Sequence, residues 1–204
     1  SESFRRSAEV ARNGMSGRNG SLGELLPSVF GGTFVYVTTC RGCGRSSERK
    51  EEFMELSAPI VDPGEEDGSS SGKRRTRKAR DVDVQQCIDS YLHPERLDGD
   101  NRYECSGCNK KCDAVRRMIF ARLPPVLNIQ LARYVFDRET FSKRKLTTRV
   151  LLPKSLSIPG DAILDVNSQR ARYVLCAVQN HLGNSAHGGH YVAEVMDWTT
   201  GVWY

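Results

Sequence analysis

The sequence predicts a mixed fold of strand runs and two short helices, with a metal pinning distant segments at one place. Three observations carry that expectation. Runs of β-branched and aromatic residues recur between Phe34 and Val195, apolar residues take helical spacing over 83–92, and four of the seven cysteines form two Cys-x-x-Cys pairs. A chain of 204 residues can bury one substantial core, or a core with a smaller satellite. Its apolar share of 38% is low enough that part of it should remain loop.

Residues 1–20 are rich in Ser, Arg, Gly and Asn without apolar periodicity and read as a disordered arm. Ser21 and Glu24 then fit a capping box, Leu22, Leu25 and Leu26 supply an apolar face for one or two helical turns, and Gly31-Gly32 ends the helix. Phe34–Thr39 has strand composition and runs directly into Cys40-Arg-Gly-Cys43-Gly44. A second extended segment is expected over Glu52–Ala58. Residues 62–80 have the character of a mobile insertion, acidic first (Asp62, Glu65, Glu66, Asp67), then Gly/Ser, then basic.

Val84, Cys87, Ile88, Tyr91 and Leu92 lie at i, i+3, i+4, i+7 and i+8, so 83–92 should be an amphipathic helix. Asp81 or Asp83 stands near its start, Pro94 stops it, and Cys87 falls on the buried face. Further strands are expected at Val115–Phe120 and Leu146–Leu152. Val126–Val135 reads as one long run, central in a sheet. Near the end, Tyr173–Val178 and Tyr191–Val195 should flank a turn rich in Gly and His.

Thirty basic against twenty-five acidic residues give +5, yet Lys73, Arg74, Arg75, Arg77, Lys78 and Arg80 alone supply six positive charges. That cluster could serve as an import signal or a polyanion contact, or simply solubilise a loop. Aromatic residues do not interleave with it, which disfavours a nucleic-acid stacking platform. No apolar run reaches the roughly eighteen residues that a membrane-spanning helix needs, so no membrane partner is expected. An odd number of cysteines, four of them in metal-ligand spacing, suits a reducing intracellular setting, nucleus or cytoplasm, better than a disulfide framework.

The strongest chemical signal is Cys40-x2-Cys43 with Cys105-x2-Cys108. In each pair a tight turn can aim both thiolates inward, with Gly42, Gly44 and Gly107 easing the backbone, and two pairs make the tetrahedral four-sulfur set that zinc prefers. One structural zinc with no open position is therefore expected. Thiols that merely lie close, or redox chemistry, are the alternatives, and Cys112 competes with Cys108. The pairs stand 61 residues apart, too wide for a compact independent finger, so the metal should clip together the tips of two hairpins.

His93, His181, His187 and His190 are the only histidines. His93, before a proline, should be an exposed helix-end residue. The other three lie within ten residues, His181-Leu-Gly-Asn-Ser-Ala-His-Gly-Gly-His190, with no carboxylate or cysteine among them to complete a second metal site. A histidine in such a turn can act as a general base, or be structural.

Four stretches in order, Phe30–Gly44, Leu97–Cys108, Leu123–Tyr134, and Gly188-Gly-His-Tyr191 with Trp203-Tyr204, resemble the ubiquitin-specific protease (ubiquitin carboxyl-terminal hydrolase) family, and within it the branch numbered forty-eight in vertebrates. The resemblance spans about 21–204. It implies an α+β, papain-like fold with an antiparallel palm sheet, zinc-bound fingers at about 31–60 and 97–122, and a palm at about 123–204, the thumb being largely missing. It further implies a thiol-dependent deubiquitinase whose partners are ubiquitin and ubiquitinated proteins, with Cys40, Cys43, Cys105 and Cys108 as zinc ligands and His190 as catalytic base. Gly188 and Gly189, with Tyr191 beside them, would border the channel for ubiquitin's Gly-Gly tail. His181 matches a recurrent position outside the catalytic triad.

Two features depart from the family pattern. Its nucleophile stands in an Asn-x-Gly-Asn-x-Cys-Tyr type box, and none of the seven cysteines has that setting. The third triad member usually follows the Trp-Tyr pair, so Asp197 is better read as a turn residue. A fragment of a longer active enzyme fits these departures, because His190 and the glycines are retained. A non-catalytic ubiquitin-binding module and, more remotely, a zinc-ribbon nucleic-acid binder are the competing readings.

Overall fold

The computed structural model describes residues 22–60, 81–137, 141–164, 170–185 and 188–204. The expected arm at 1–20, the insertion at 62–80, Ser21 of the capping box and His187 lie outside the described residues. Two compact units are formed, one from the residues up to Leu56 with Leu97–Asn128, the other from Ser57–Arg96 with Ile129–Tyr204.

In the first unit helix α1, Leu22–Phe30, is longer than its apolar spacing foretold and carries Pro27 inside it. Its expected apolar face is not buried. Leu25 and Leu26 are exposed, and α1 is held instead through its end, where the Val29 carbonyl accepts from Val126 N at 3.0 Å. Strand β1, Gly32–Cys40, follows at once and pairs antiparallel with β2, Ser46–Phe53. On its other side β1 pairs antiparallel with β8, Ala114–Arg122, and the sheet order is β2-β1-β8-β5, with β5 at Glu95–Leu97.

The core of this sheet is aromatic. Phe34 stacks on Phe53 with centroids 5.2 Å apart, and Phe53 meets the fully buried Phe120 at 5.8 Å. Phe53 crosses Gly32 in the register, and a β-carbon on Gly32 would fall 2.2 Å from the Phe53 ring. Glycine is required there by the ring above it, not only as a helix stop. Most of β2 is exposed and charged, which suits a strand at the sheet edge. The extended segment expected at 52–58 is in fact the end of β2 and the separate β3, Leu56–Pro59, divided at Met54-Glu55.

The second unit holds helix α2, Val84–Leu92, and a set of two-stranded ribbons. Asp83 caps α2 in a full capping box: its carboxylate accepts from Gln85 N, and the Gln86 side chain accepts from Asp83 N. Val84, Cys87 and Ile88 are buried, as their spacing requires, and His93 is the exposed residue at the C-terminal end. The Gln85 amide behaves like a strand neighbour, donating to the Ser157 carbonyl and accepting from Ser157 N, each at 2.9 Å. This fixes α2 against β13, Ser155–Pro159, which pairs with β14, Arg170–Val174.

The run at 126–135 is not one central strand. Arg133 N turns back to the Leu131 carbonyl at 2.7 Å, a three-residue turn that separates β9, Ile129–Ala132, from β10, Tyr134–Asp137. β9 pairs with β3, while β10 pairs with β11, Ser142–Lys145. The strand expected over 146–152 is reduced to β12, Val150–Leu151, parallel to β4, Val82–Asp83. The run at 173–178 is also broken, because Leu175 N bonds back to Lys154 while the Cys176 carbonyl accepts from Met196 N. Beyond the break, β15, Ala177–Ser185, pairs antiparallel with β16, Gly188–Val195. No described helix is long and apolar enough to cross a membrane.

Ile88 is fully buried in α2, so Ile88→Ala should cost about 2–5 kcal/mol and lower the urea midpoint without changing the slope. Exposed Leu26→Ala should change stability by less than about 0.5 kcal/mol and leave that midpoint almost unmoved.

Candidate functional site: a four-cysteine centre and a histidine-bearing hairpin

The four cysteines of the two spaced pairs converge. Their sulfurs all lie within 4.8 Å of one another, with Cys40 and Cys108 at 4.0 Å and Cys43 and Cys105 at 3.6 Å. A tetrahedral zinc with sulfur ligands at its usual bond length sets its sulfurs about 3.8 Å apart. The donor set therefore fits a closed four-thiolate site, and the separations are far too long for disulfides.

Two matched turns build this centre. After Cys43, Gly44 N bonds the Cys40 carbonyl at 3.0 Å, and after Cys108, Asn109 N bonds the Cys105 carbonyl at 2.8 Å. Each turn closes on a residue in the left-handed region, Gly44 at φ 73° and Asn109 at φ 52°. Of the three glycines expected to ease the backbone, Gly44 does so in the first turn, while in the second the left-handed residue is Asn109 and not Gly107. The sequence carried that signal, since glycine and asparagine are the residues that best tolerate this conformation.

The first turn hangs from β1 and β2. The second joins β6, Tyr103–Cys105, to β7, Lys110–Cys112. Cys40 and Cys105 are almost fully buried, Cys108 is half-buried and Cys43 is exposed, so the centre has one wet side. The Cys43 backbone N–H and, against the cost of burial, that of Gly42 point at the Cys40 sulfur and hold its pKa down to about 6. Cys108 moves the other way. Its thiol donates toward Cys43 and also meets Cys112, which holds its proton well above the ordinary thiol range.

The second candidate lies on the β15/β16 hairpin. His190 stands opposite Leu182 and His181 opposite Tyr191, so by strand alternation His190 and Leu182 share one face while His181 and Tyr191 share the other. His190 is exposed, and Gly188 and Gly189 immediately precede it on β16. His181 packs on Tyr191 with centroids 4.8 Å apart. A β-carbon on Gly189 would come within 2.2 Å of His181 Nε2, so only glycine lets the imidazole lie against this strand. Spacing alone did not reveal this use of His181.

Lys145 and Tyr134 fix that imidazole from the neighbouring ribbon. Lys145 Nζ lies 3.3 Å from His181 Nδ1 and donates to the carbonyls of His181 at 3.3 Å and Gly183 at 2.6 Å, and the Tyr134 hydroxyl is 3.2 Å from the same Nδ1. A lysine donor makes Nδ1 the acceptor and leaves the proton on Nε2. Nothing in the sequence pattern distinguished Lys145.

Asp197 closes a turn. It accepts from Thr199 N at 2.7 Å and from the Thr200 hydroxyl at 3.0 Å, and these bonds hold its carboxyl below the usual range. Cys87 is enclosed in the α2 core. Cys176 sits in the link between β14 and β15, where burial raises its thiol pKa, the opposite of what an activated nucleophile requires.

Residues 14–204 match the sequence profile described as ubiquitin carboxyl-terminal hydrolase. The chain belongs to that family. Among its relatives, ubiquitin carboxyl-terminal hydrolase 48 of Danio rerio is 37% identical over 90% of this chain, and the like-named protein of Gallus gallus is 35% identical over 92%. This chain spans 16% of the length of each. Of solved structures, a chain of the yeast SAGA DUBm with a mutant Sgf73 superposes with TM-score 0.68 at 25% identity, covering 96% of this chain and 38% of that one. A chain of the SAGA DUB module of Ubp8, Sgf11, Sus1 and Sgf73 bound to monoubiquitin gives 0.66 at 26% identity, over 87% of this chain and 35% of that one. The mixed fold of small sheets with a four-cysteine cluster is consistent with a domain of this family.

Lys145→Met removes the charged donor to β15. Amide exchange at 181–183 should then accelerate about tenfold or more, the worth of one charge-assisted hydrogen bond, while α2 keeps its protection.

Proposed function

We propose that this chain is the zinc-bound, ubiquitin-gripping and base-bearing part of a thiol-dependent deubiquitinase, which cuts the isopeptide or peptide bond after the C-terminal glycine of ubiquitin. The observation that carries the reading is the pairing of a closed four-sulfur centre in one unit with an exposed histidine directly after two glycines in the other. Family membership and the likeness to a module bound to monoubiquitin support the choice of ubiquitin as partner. The sheet β2-β1-β8-β5 and its cysteine turns are read as fingers, and the ribbons of the second unit as palm.

Cys40, Cys43, Cys105 and Cys108 would hold one zinc. With four thiolates and no open position, the ion supplies folding energy at the two turns and takes no part in hydrolysis. His190 would accept the proton of a cysteine supplied by a preceding segment of a longer chain. The thiolate attacks the carbonyl carbon of the ubiquitin tail, and backbone or side-chain donors receive the charge that develops on the carbonyl oxygen. His190 then returns the proton to the leaving lysine amine, and water, deprotonated by the same imidazole, releases the thioester. Gly188 and Gly189 would border the channel for a tail that has no side chains, with Tyr191 beside them. His181, held by Lys145 and Tyr134, would stiffen the strand that carries the base.

Ubiquitin bearing a C-terminal thiol-reactive group tests this reading on the 204-residue chain and on a version extended upstream through a family-type cysteine box. Labelling should occur only in the extended version, and His190→Ala there should slow conjugate cleavage by about a hundredfold or more. Labelling of the shorter chain would assign the nucleophile to Cys87, Cys112 or Cys176. Binding without labelling or cleavage in either version would make the protein a ubiquitin receptor instead.

A further inference from the structure

A fifth sulfur adjoins the four-cysteine centre. Cys112 ends β7, is only 8% exposed, and stands across the hairpin from Tyr103, on the same face as Cys105. The neighbouring Asp113 carbonyl accepts from Arg41 N at 2.8 Å, and Ala114 is the register partner of Cys40 in the β1/β8 pairing. The sheet thus delivers Cys112 to the first cysteine turn as firmly as it delivers Cys40. A β-carbon built on Gly42 marks the meeting point: the sulfurs of Cys108 and Cys112 would each lie 3.5 Å from it and that of Cys40 3.6 Å. Cys112 packs in one buried cluster with Cys40 and Cys105, and Cys108 lies against that cluster.

We infer that Cys112 is a reserve metal ligand, able to take the place of Cys108 beside Cys40, Cys43 and Cys105. The inference rests on the reading that the centre holds zinc. Zinc accepts four thiolates in a tetrahedron, and the set already within 4.8 Å of one another is Cys40, Cys43, Cys105 and Cys108, so Cys112 stands by as the fifth sulfur. Cys108 is the ligand suited to exchange. It is half-buried and lies in the turn linking β6 to β7, whereas Cys40 and Cys105 are enclosed at strand ends. Replacing it asks for movement of the 106–109 turn and leaves the β6/β7 register in place. A buried cysteine can also be a small apolar filler, and metal content separates the two roles.

The test measures zinc per chain by elemental analysis and thiolate number from the charge-transfer spectrum of the cobalt-substituted protein, for the 204-residue chain and four variants. Cys108→Ser and Cys112→Ser should each keep one metal and a four-sulfur spectrum, like the parent. Cys43→Ser, which an exchange between Cys108 and Cys112 does not compensate, and the Cys108→Ser/Cys112→Ser double variant should fall to three sulfurs and bind metal at least about tenfold more weakly. A Cys108→Ser chain that drops to three sulfurs, or fails to fold while Cys112→Ser folds, overturns the proposal. So does loss of metal from Cys112→Ser alone. A parent chain that binds no metal would instead refute the zinc reading on which the inference depends.

Discussion

The pairing of β1 with β8 is the constraint on which the first unit depends. It joins residues some eighty positions apart in the chain, sets Phe34 beside Phe120, and places Cys40 opposite Ala114. Closing a loop the size of the one between the two cysteine pairs costs on the order of 4 kcal/mol of chain entropy. The aromatic core under the sheet offsets that cost. A metal held at the tips would then have only two short turns left to order.

Both turns of that centre use one device, an N–H two residues past the second x bonding back to the first cysteine's carbonyl through a left-handed residue. The device aims each pair of sulfurs inward, and the Cys43 and Gly42 N–H groups stabilise negative charge on Cys40. Burial opposes this charge, so the site is prepared for a cation by backbone dipoles and short of one by solvation.

The second unit solves a different problem. Its ribbons are short and individually marginal, and polar side chains stand in for the missing strand neighbours. Gln85 completes the backbone pairing of Ser157, Arg133 bonds the Leu146 and Thr148 carbonyls, and Lys145 bonds those of His181 and Gly183. The extended runs read as continuous are broken at Arg133 and at Leu175-Cys176, where backbone groups bond back along the chain or to other segments. Composition reports a residue's taste for extended backbone, whereas the choice of partner at each position belongs to the tertiary fold.

Local chemistry settled what the sequence could settle alone. The α2 helix with an aspartate near its start, the strand that runs into Cys40, the buried face of Cys87 and the two Cys-x-x-Cys turns follow from spacing and side-chain type, because the interactions that shape them are mostly local. The four ordered motifs also sufficed to point to the family. Only the tertiary structure decided that Leu25 and Leu26 stay exposed, that Gly32 serves Phe53 and Gly189 serves His181, that Lys145 grips β15, and that Cys112 joins the sulfur cluster. Each of these is a contact between segments far apart in the chain, and periodicity carries no information about which distant surface a residue will meet.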